Sequence, residues 1–158
     1  MQVIYVGDSS NLRKRIRTNH GGGNVEGSAF RKHLATAFGY GIARTKRESG
    51  TFRVRLDLPD PRVGERQITD YVRGGHWKVV ACDTDEEANA FQWFAIERLS
   101  PKLNRDRRDW DRRLASRFES LETALAAVIP VAWSEVNSLP EEPGVYVFLH
   151  DCLPTIAE

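Results

Sequence analysis

The sequence predicts an α+β fold, a small and mainly antiparallel central sheet flanked by helices. Three short apolar runs at 2–7, 76–82 and 144–149, each bounded by turn-forming residues, carry strand chemistry. Longer stretches with apolar residues at helical spacing lie between them. A chain of 158 residues, 41% hydrophobic and 28% charged, can bury a core without disulfide staples, and one domain over 1–158 is expected.

Residues 2–7 are apolar on both faces, with Val3 and Tyr5 on one side and Ile4 and Val6 on the other, as in a strand interior to a sheet. Asp8-Ser9-Ser10-Asn11 supplies helix-start chemistry for a basic helix over Leu12 to Thr18, broken by Gly21-Gly22-Gly23. Ser28 caps a second helix with Phe30, Leu34 and Phe38 on one face, ended by Gly39. Residues 39–50 read as an exposed basic loop. Phe52 to Leu58 alternate as a strand, either a sheet edge or part of a separate hairpin. A short helix over 65–72 ends at Gly74-Gly75, before the strand at 76–82. Thr84 caps a long helix with Glu86 and Glu87 in its first turn, stopping before Pro101. Another helix is expected over 109–128, and Leu139-Pro140-Glu141-Glu142-Pro143 turns the chain into its last strand.

No apolar run approaches the roughly 20 residues of a membrane span. Residues 1–7 lack a basic leader and cleavage site, and Cys82 and Cys152 have no metal-ligand spacing, so a cytoplasmic protein with reduced thiols is expected. The net charge of +1 conceals an asymmetry. Residues 1–55 hold eleven Lys or Arg against three acidic groups, a balance of +8, and the remainder balances at −7. Such a split suits one face that meets a polyanion and another that keeps the molecule soluble.

Four segments combine chemistry. Tyr5-Val6-Gly7 precedes the basic run Arg13-Lys14-Arg15-Ile16-Arg17; a tyrosine and an arginine fork so placed can converge on one phosphate, and the plainer alternative is a buried tyrosine beside a solvated basic helix. Gly144-Val145-Tyr146 places a second tyrosine after a glycine on a short strand. Gln92 interrupts the apolar stripe of Ala88, Ala95, Ile96 and Leu99, and a polar residue there is either satisfied by backbone or faces a site. Pro101-Lys102-Leu103-Asn104 ends that helix with an asparagine able to hold a turn.

Together these segments resemble the GIY-YIG nuclease family. Gly144-Val145-Tyr146, after Leu139-Pro140-Glu141-Glu142-Pro143, is similar to the first signature, and Tyr5-Val6-Gly7 to the second. Ser10-Asn11-Leu12-Arg13-Lys14-Arg15 resembles the stretch bearing the family arginine, which spacing assigns to Arg15. His20 lies near the family histidine with a register one residue off, and Asn19 competes for that place. The resemblance covers residues 1–20, 76–104 and 139–149.

Two departures stand out. Counting back from Asn104, the metal-binding glutamate of the family falls on Gln92, whose carboxamide gives a divalent cation only a neutral oxygen. Either the protein is a weakened or inactive relative, or the residue was exchanged to trap a complex. Glu97 is no substitute, because five residues on it points about 140° away around a helix. The signature order is also reversed, with the first signature at 139–149. Circular permutation is the preferred account; exchange of the strand between protomers, or the opening strand of a second domain, are the alternatives.

The resemblance implies metal-assisted phosphodiester hydrolysis of double-stranded DNA with Mg²⁺ or Mn²⁺, in a restriction-like or repair-like role. Tyr146 would be general base, its pKa lowered by cation-rich surroundings, with Tyr5 shaping its hydrogen bonds and His20 and Arg15 completing the catalytic set. Gly7, Gly144 and Asn104 would support the site. Phosphate contacts are expected from Arg13, Lys14 and Arg17, and, within an inserted region over 21–75, from Arg31, Lys32, Arg44, Lys46, Arg47, Arg53 and Arg55. One centre cuts one strand, so double-strand cleavage needs a homodimer or sequential nicking. The alternative function is a catalytically silent DNA-binding module.

Overall fold

The computed structural model describes residues 1–155. Along the chain lie β1 (Gln2–Ser9), α1 (Leu12–Lys14), α2 (Ala29–Ala37), β2 (Ile42–Lys46), β3 (Phe52–Leu56), α3 (Pro61–Arg73), β4 (His76–Ala81), α4 (Asp85–Leu99), α5 (Ala115–Ala127), β5 (Val131–Ala132) and β6 (Gly144–His150). The α+β class is as the sequence predicts. Four strands form an antiparallel sheet in the order β1-β6-β4-β5, and β2 and β3 form a separate hairpin. Among the described residues no helix is long and apolar enough to cross a membrane.

Tyr5 and Tyr146 stand on neighbouring strands, since Tyr5 pairs with Phe148 and Gly7 with Tyr146. Both faces of the sheet are covered. Tyr5, Tyr146 and Phe148 look toward Leu12, Ile16, Phe30, Leu34, Ile68 and Trp77. Val6, Val145 and Val147 look toward Phe91, Phe94 and Ile96 of α4 and Phe118 and Leu121 of α5. Strict alternation fails at one point. The β1–β6 register slips between Val3 and Tyr5, so Ile4 is the extra residue of a bulge and joins Tyr5 in the first cluster. Val3 is left to pack on the other side.

Several elements differ from expectation for local reasons. Residues 42–46, read as loop, are β2, whose mostly exposed Arg44, Thr45 and Lys46 hide the strand period. α3 begins earlier because Asp60 caps it through the Arg62 N–H and Pro61 fills the first turn. The last helix starts only at Ala115, after a 3₁₀ turn over Arg112–Leu114, and another 3₁₀ turn over Trp133–Ser138 precedes Leu139. Leu99, expected on the apolar stripe, is exposed beside Ser100, whose positive φ of 45° ends α4. Residues 21–75 are also core material: Phe30, Leu34, Val54, Leu56, Ile68 and Val72 are all buried in the first cluster.

The lead-in to β6 is held from two sides. Leu12 and Arg13 donate backbone N–H groups to Glu142 O and Pro140 O, and the Cys82 N–H reaches Pro143 O. The free edge of β1 is covered too. Lys102 and Leu103 donate to Val3 O and Ile4 O, and Asn104 brackets Val6 with Oδ1 on its N–H and Nδ2 on its carbonyl, both at 2.9 Å.

Candidate active site

The ends of β1 and β6, the turn after α1 and the middle of α4 enclose a polar cavity of about 150 Å³, lined by Tyr5, Gly7, Asp8, Arg15, His20, Ala29, Gln92 and Tyr146. Residues from five places in the sequence thus meet. The tyrosine rings lie 6.3 Å apart between centroids, and Tyr5 stacks on Phe30 at 4.7 Å. A side chain on Gly7 would collide with the Tyr146 hydroxyl, and one on Gly144 with Val80 O and Leu12.

The ambiguity between Asn19 and His20 has a geometric answer. Residues Arg15–His20 form a π turn, in which the Gly21 N–H reaches Ile16 O five residues back at 2.9 Å. The wider turn absorbs one residue and carries His20, not Asn19, to the tyrosine. His20 Nε2 lies 2.6 Å from Tyr146 Oη, and Nδ1 lies 2.7 Å from Ser28 Oγ. Ser28 also accepts the Arg31 N–H as cap of α2, so one hydroxyl starts a helix and orients the imidazole. The sequence marked Ser28 only as a cap.

Burial sets the protonation states. Desolvation pushes Tyr5 up to about 12 against the pull of Arg15, with Asp8 adding to the rise. It lifts Tyr146 well above an ordinary phenol, with Tyr5 and Asp8 adding and Arg15 opposing. The expected lowering of the Tyr146 pKa by cations is therefore corrected: Arg15 acts in that direction, but burial outweighs it. His20, fully enclosed, is held well below the usual imidazole value by desolvation and then by Arg15 and Arg31. All three groups are neutral near pH 7.

Gln92 is 8% exposed and lines the cavity, and its carboxamide makes no hydrogen bond to protein among the described residues. Its carboxamide can present an oxygen to a cation but no charge, and Asp8 is the one carboxylate in the cavity lining. A water-rich Mg²⁺ site asks for one or two carboxylates with waters and substrate phosphates, so this donor set fits such an ion. Among the described residues no three His, Cys, Asp or Glu gather as a metal cluster. Glu97 is exposed, bonded by Trp110 and paired with Arg112 at 3.7 Å, away from the cavity.

The expected phosphate-contacting residues divide. Arg31 is fully buried, its guanidinium donating to His20 O, Glu65 O and Thr69 Oγ1, so the expectation of a surface contact is corrected. A straight alternation of surface charges does not reveal a cation enclosed by α2 and α3. Arg13 binds Leu139 O and Glu141, and Arg17 binds Asn137, tying the β6 lead-in to the helix. Arg47 and Arg55 both pair with Glu26. Lys14, Arg44, Lys46 and Arg53 are exposed, Arg44 over the Phe52 ring, and Lys32 is half-buried. Arg15 forms no ion pair among the described residues and keeps its charge for the cavity.

A family model described as "GIY-YIG catalytic domain" matches residues 1–108, which include Tyr5, Arg15, His20, Gln92 and Asn104 and stop short of β6. No curated protein and no solved structure matches the chain.

Proposed function

Because this chain belongs to the GIY-YIG catalytic-domain family and so carries a nuclease-type domain, we propose that it is a divalent-metal-dependent endonuclease of double-stranded DNA. Its nuclease domain spans 1–158, with the first-signature strand following the second in sequence, as in a circular permutation. Residues 21–75 are the inserted region, whose hairpin offers Arg44, Lys46 and Arg53 to phosphates. Cleavage of both strands then uses a homodimer or two successive nicks. The observation that carries the reading is the 2.6 Å contact between Tyr146 and neutral His20 in a cavity that also holds an unpaired Arg15.

The proton path follows from the neutral states. With its own proton on Nδ1, where the N–H donates a hydrogen bond to Ser28 Oγ, His20 turns the Nε2 lone pair toward Tyr146. As water attacks phosphorus, Tyr146 Oη takes the water proton while its phenolic proton passes to Nε2. No free phenolate is required, which reconciles a general base with a raised pKa. Arg15 stabilises the charge gathering on the non-bridging oxygens, and Tyr5, a phenol at neutral pH, donates a hydrogen bond beside it. A bound Mg²⁺ or Mn²⁺ supplies Lewis-acid stabilisation of the leaving oxygen, and Gln92 would hold it through its neutral Oε1.

The test is nicking of supercoiled plasmid in Mg²⁺ or Mn²⁺, with duplex binding measured in parallel. Wild-type protein should nick, and Tyr146→Phe and Arg15→Ala should not. Gln92→Glu should accelerate cleavage by about two orders of magnitude or more, because leaving-group stabilisation is worth several kcal/mol and ~1.4 kcal/mol is tenfold. Salt-dependent duplex binding without cleavage by either the wild type or Gln92→Glu would overturn the nuclease reading in favour of the silent DNA-binding module.

A further inference from the structure

We propose that Asp8 supplies the anionic oxygen of the divalent-cation site, with Gln92 Oε1 as its neutral partner, so that the charge of the site has moved from α4 to the end of β1. The inference rests on the nuclease reading for its purpose but not for its geometry. Asp8 pairs opposite Val145 near the end of β1, where strand alternation turns it to the side of Val6 and hence toward α4. There Asn89 Nδ2 approaches its carboxylate at 3.5 Å. Asn89 and Gln92 are three residues apart on α4 and therefore lie along one face of that helix. Asp8 and Gln92 both line the polar cavity.

Two features of these side chains point to a ligand. Gln92 is more than nine-tenths buried, and its carboxamide has no protein hydrogen-bond partner among the described residues and stays open to the polar cavity it lines, where an incoming ion can reach it. Asp8, for its part, forms no ion pair among the described residues, although Arg15 lines the same cavity, and its one side-chain hydrogen bond is the long one from Asn89. Its charge is felt across the site, because it adds to the rise of both Tyr5 and Tyr146. A hard cation takes a carboxylate oxygen and a carboxamide oxygen together, completing its shell with water and a phosphate oxygen. Mg²⁺ and Mn²⁺ are the cations this donor set suits.

The probe is Mn²⁺ alone, added to DNA-free protein, with free Mn²⁺ followed by electron paramagnetic resonance. Wild-type protein should bind Mn²⁺ at one site. Asp8→Asn should weaken that binding by about tenfold or more, since loss of even outer-shell partners costs that much, whereas Gln92→Glu should tighten it. In unmodified protein, Mn²⁺ should selectively broaden the side-chain amide resonances of Gln92, a readout that needs no variant to fold. Mn²⁺ binding unaltered in a folded Asp8→Asn protein, or unbroadened Gln92 resonances, would overturn the proposal. Plasmid nicking separates the two readings. Mn²⁺ bound through Asp8 without nicking upholds this site and defeats the nuclease, and nicking that survives Asp8→Asn undiminished upholds the nuclease and defeats this site.

Discussion

Arg31 is the residue whose role in the structure departs most from its role in the sequence, and Arg31→Met measures the difference. The substitution keeps the length of the side chain and removes hydrogen bonds of 2.8, 2.9 and 3.0 Å to His20 O, Glu65 O and Thr69 Oγ1. It also strands Glu65, which faces Arg31 at 3.7 Å with a side chain only 16% exposed. Breaking a buried pair costs about 3–5 kcal/mol. The pairing here is loose and Arg31 Nε has no partner, so about 3 kcal/mol is expected. With a urea slope of about 2 kcal/mol per molar, the unfolding midpoint should fall by about 1.5 M. Burial already pushes the Glu65 carboxyl up against the pull of Arg31, and without the arginine it rises further. The folded state then binds the proton more tightly than the unfolded chain does. The added deficit is therefore smallest below about pH 4.3, the unperturbed value of a glutamate, and grows as pH rises above it. Arg31→Met combined with Glu65→Gln should recover part of the loss. Urea titrations of the four proteins at pH 4 and 7 provide the cycle. A midpoint within 0.3 M of wild type, a shift of only ~0.6 kcal/mol on the same slope, would refute the buried-clamp reasoning. So would a drop of about 0.9 in the salt slope of DNA binding by folded Arg31→Met, which marks one lost phosphate contact.

Acid should destabilise the protein through His20. The buried imidazole has a depressed pKa, so the unfolded chain takes the proton first, and stability should fall by about 1.4 kcal/mol per pH unit below about 6.5. His20→Gln should flatten that dependence in urea midpoints taken between pH 5 and 7.5. Gly7→Ala should push the Tyr146 phenol off His20 and reduce nicking by about a hundredfold, while duplex affinity in the same preparation stays near wild type. Asn104→Ala should cost about 2–3 kcal/mol in urea unfolding, because two hydrogen bonds to the fully buried Val6 are lost and its peptide groups are left unpaired.

What the sequence made legible is what local chemistry encodes. Short apolar runs announced β1, β4 and β6, and Thr84 followed by three acidic residues announced α4. Tyr5, Arg15, Gln92 and Tyr146 sit on or beside those regular elements, and the cavity gathers all four. The features that stayed hidden depend on partners far away in the chain. The Ile4 bulge exists because β6 sets the register opposite it. Arg31 is written like its exposed neighbours, and only α3 packing beside α2 encloses it. The π turn hides because a one-residue insertion looks like a miscounted helix until Tyr146 shows which residue it serves. Ser28 performs two tasks with one hydroxyl, and sequence pattern reveals only the nearer one.

The place of β6 governs how the molecule can be made. It is the inner strand between β1 and β4, yet it lies about 140 residues along the chain from its β1 partner. A nascent chain that ends before residue 139 therefore lacks both β6, the strand that pairs with β1, and the Tyr146 that completes the cavity. Closing so long a separation late makes folding slow, with open strand edges waiting in the meantime. The polar cavity is thus completed only after residues 139–150 have been made. Ribosome-stalled chains ending before residue 139 should be rapidly digested by protease within residues 1–20, and chains that expose 139–150 should be protected there.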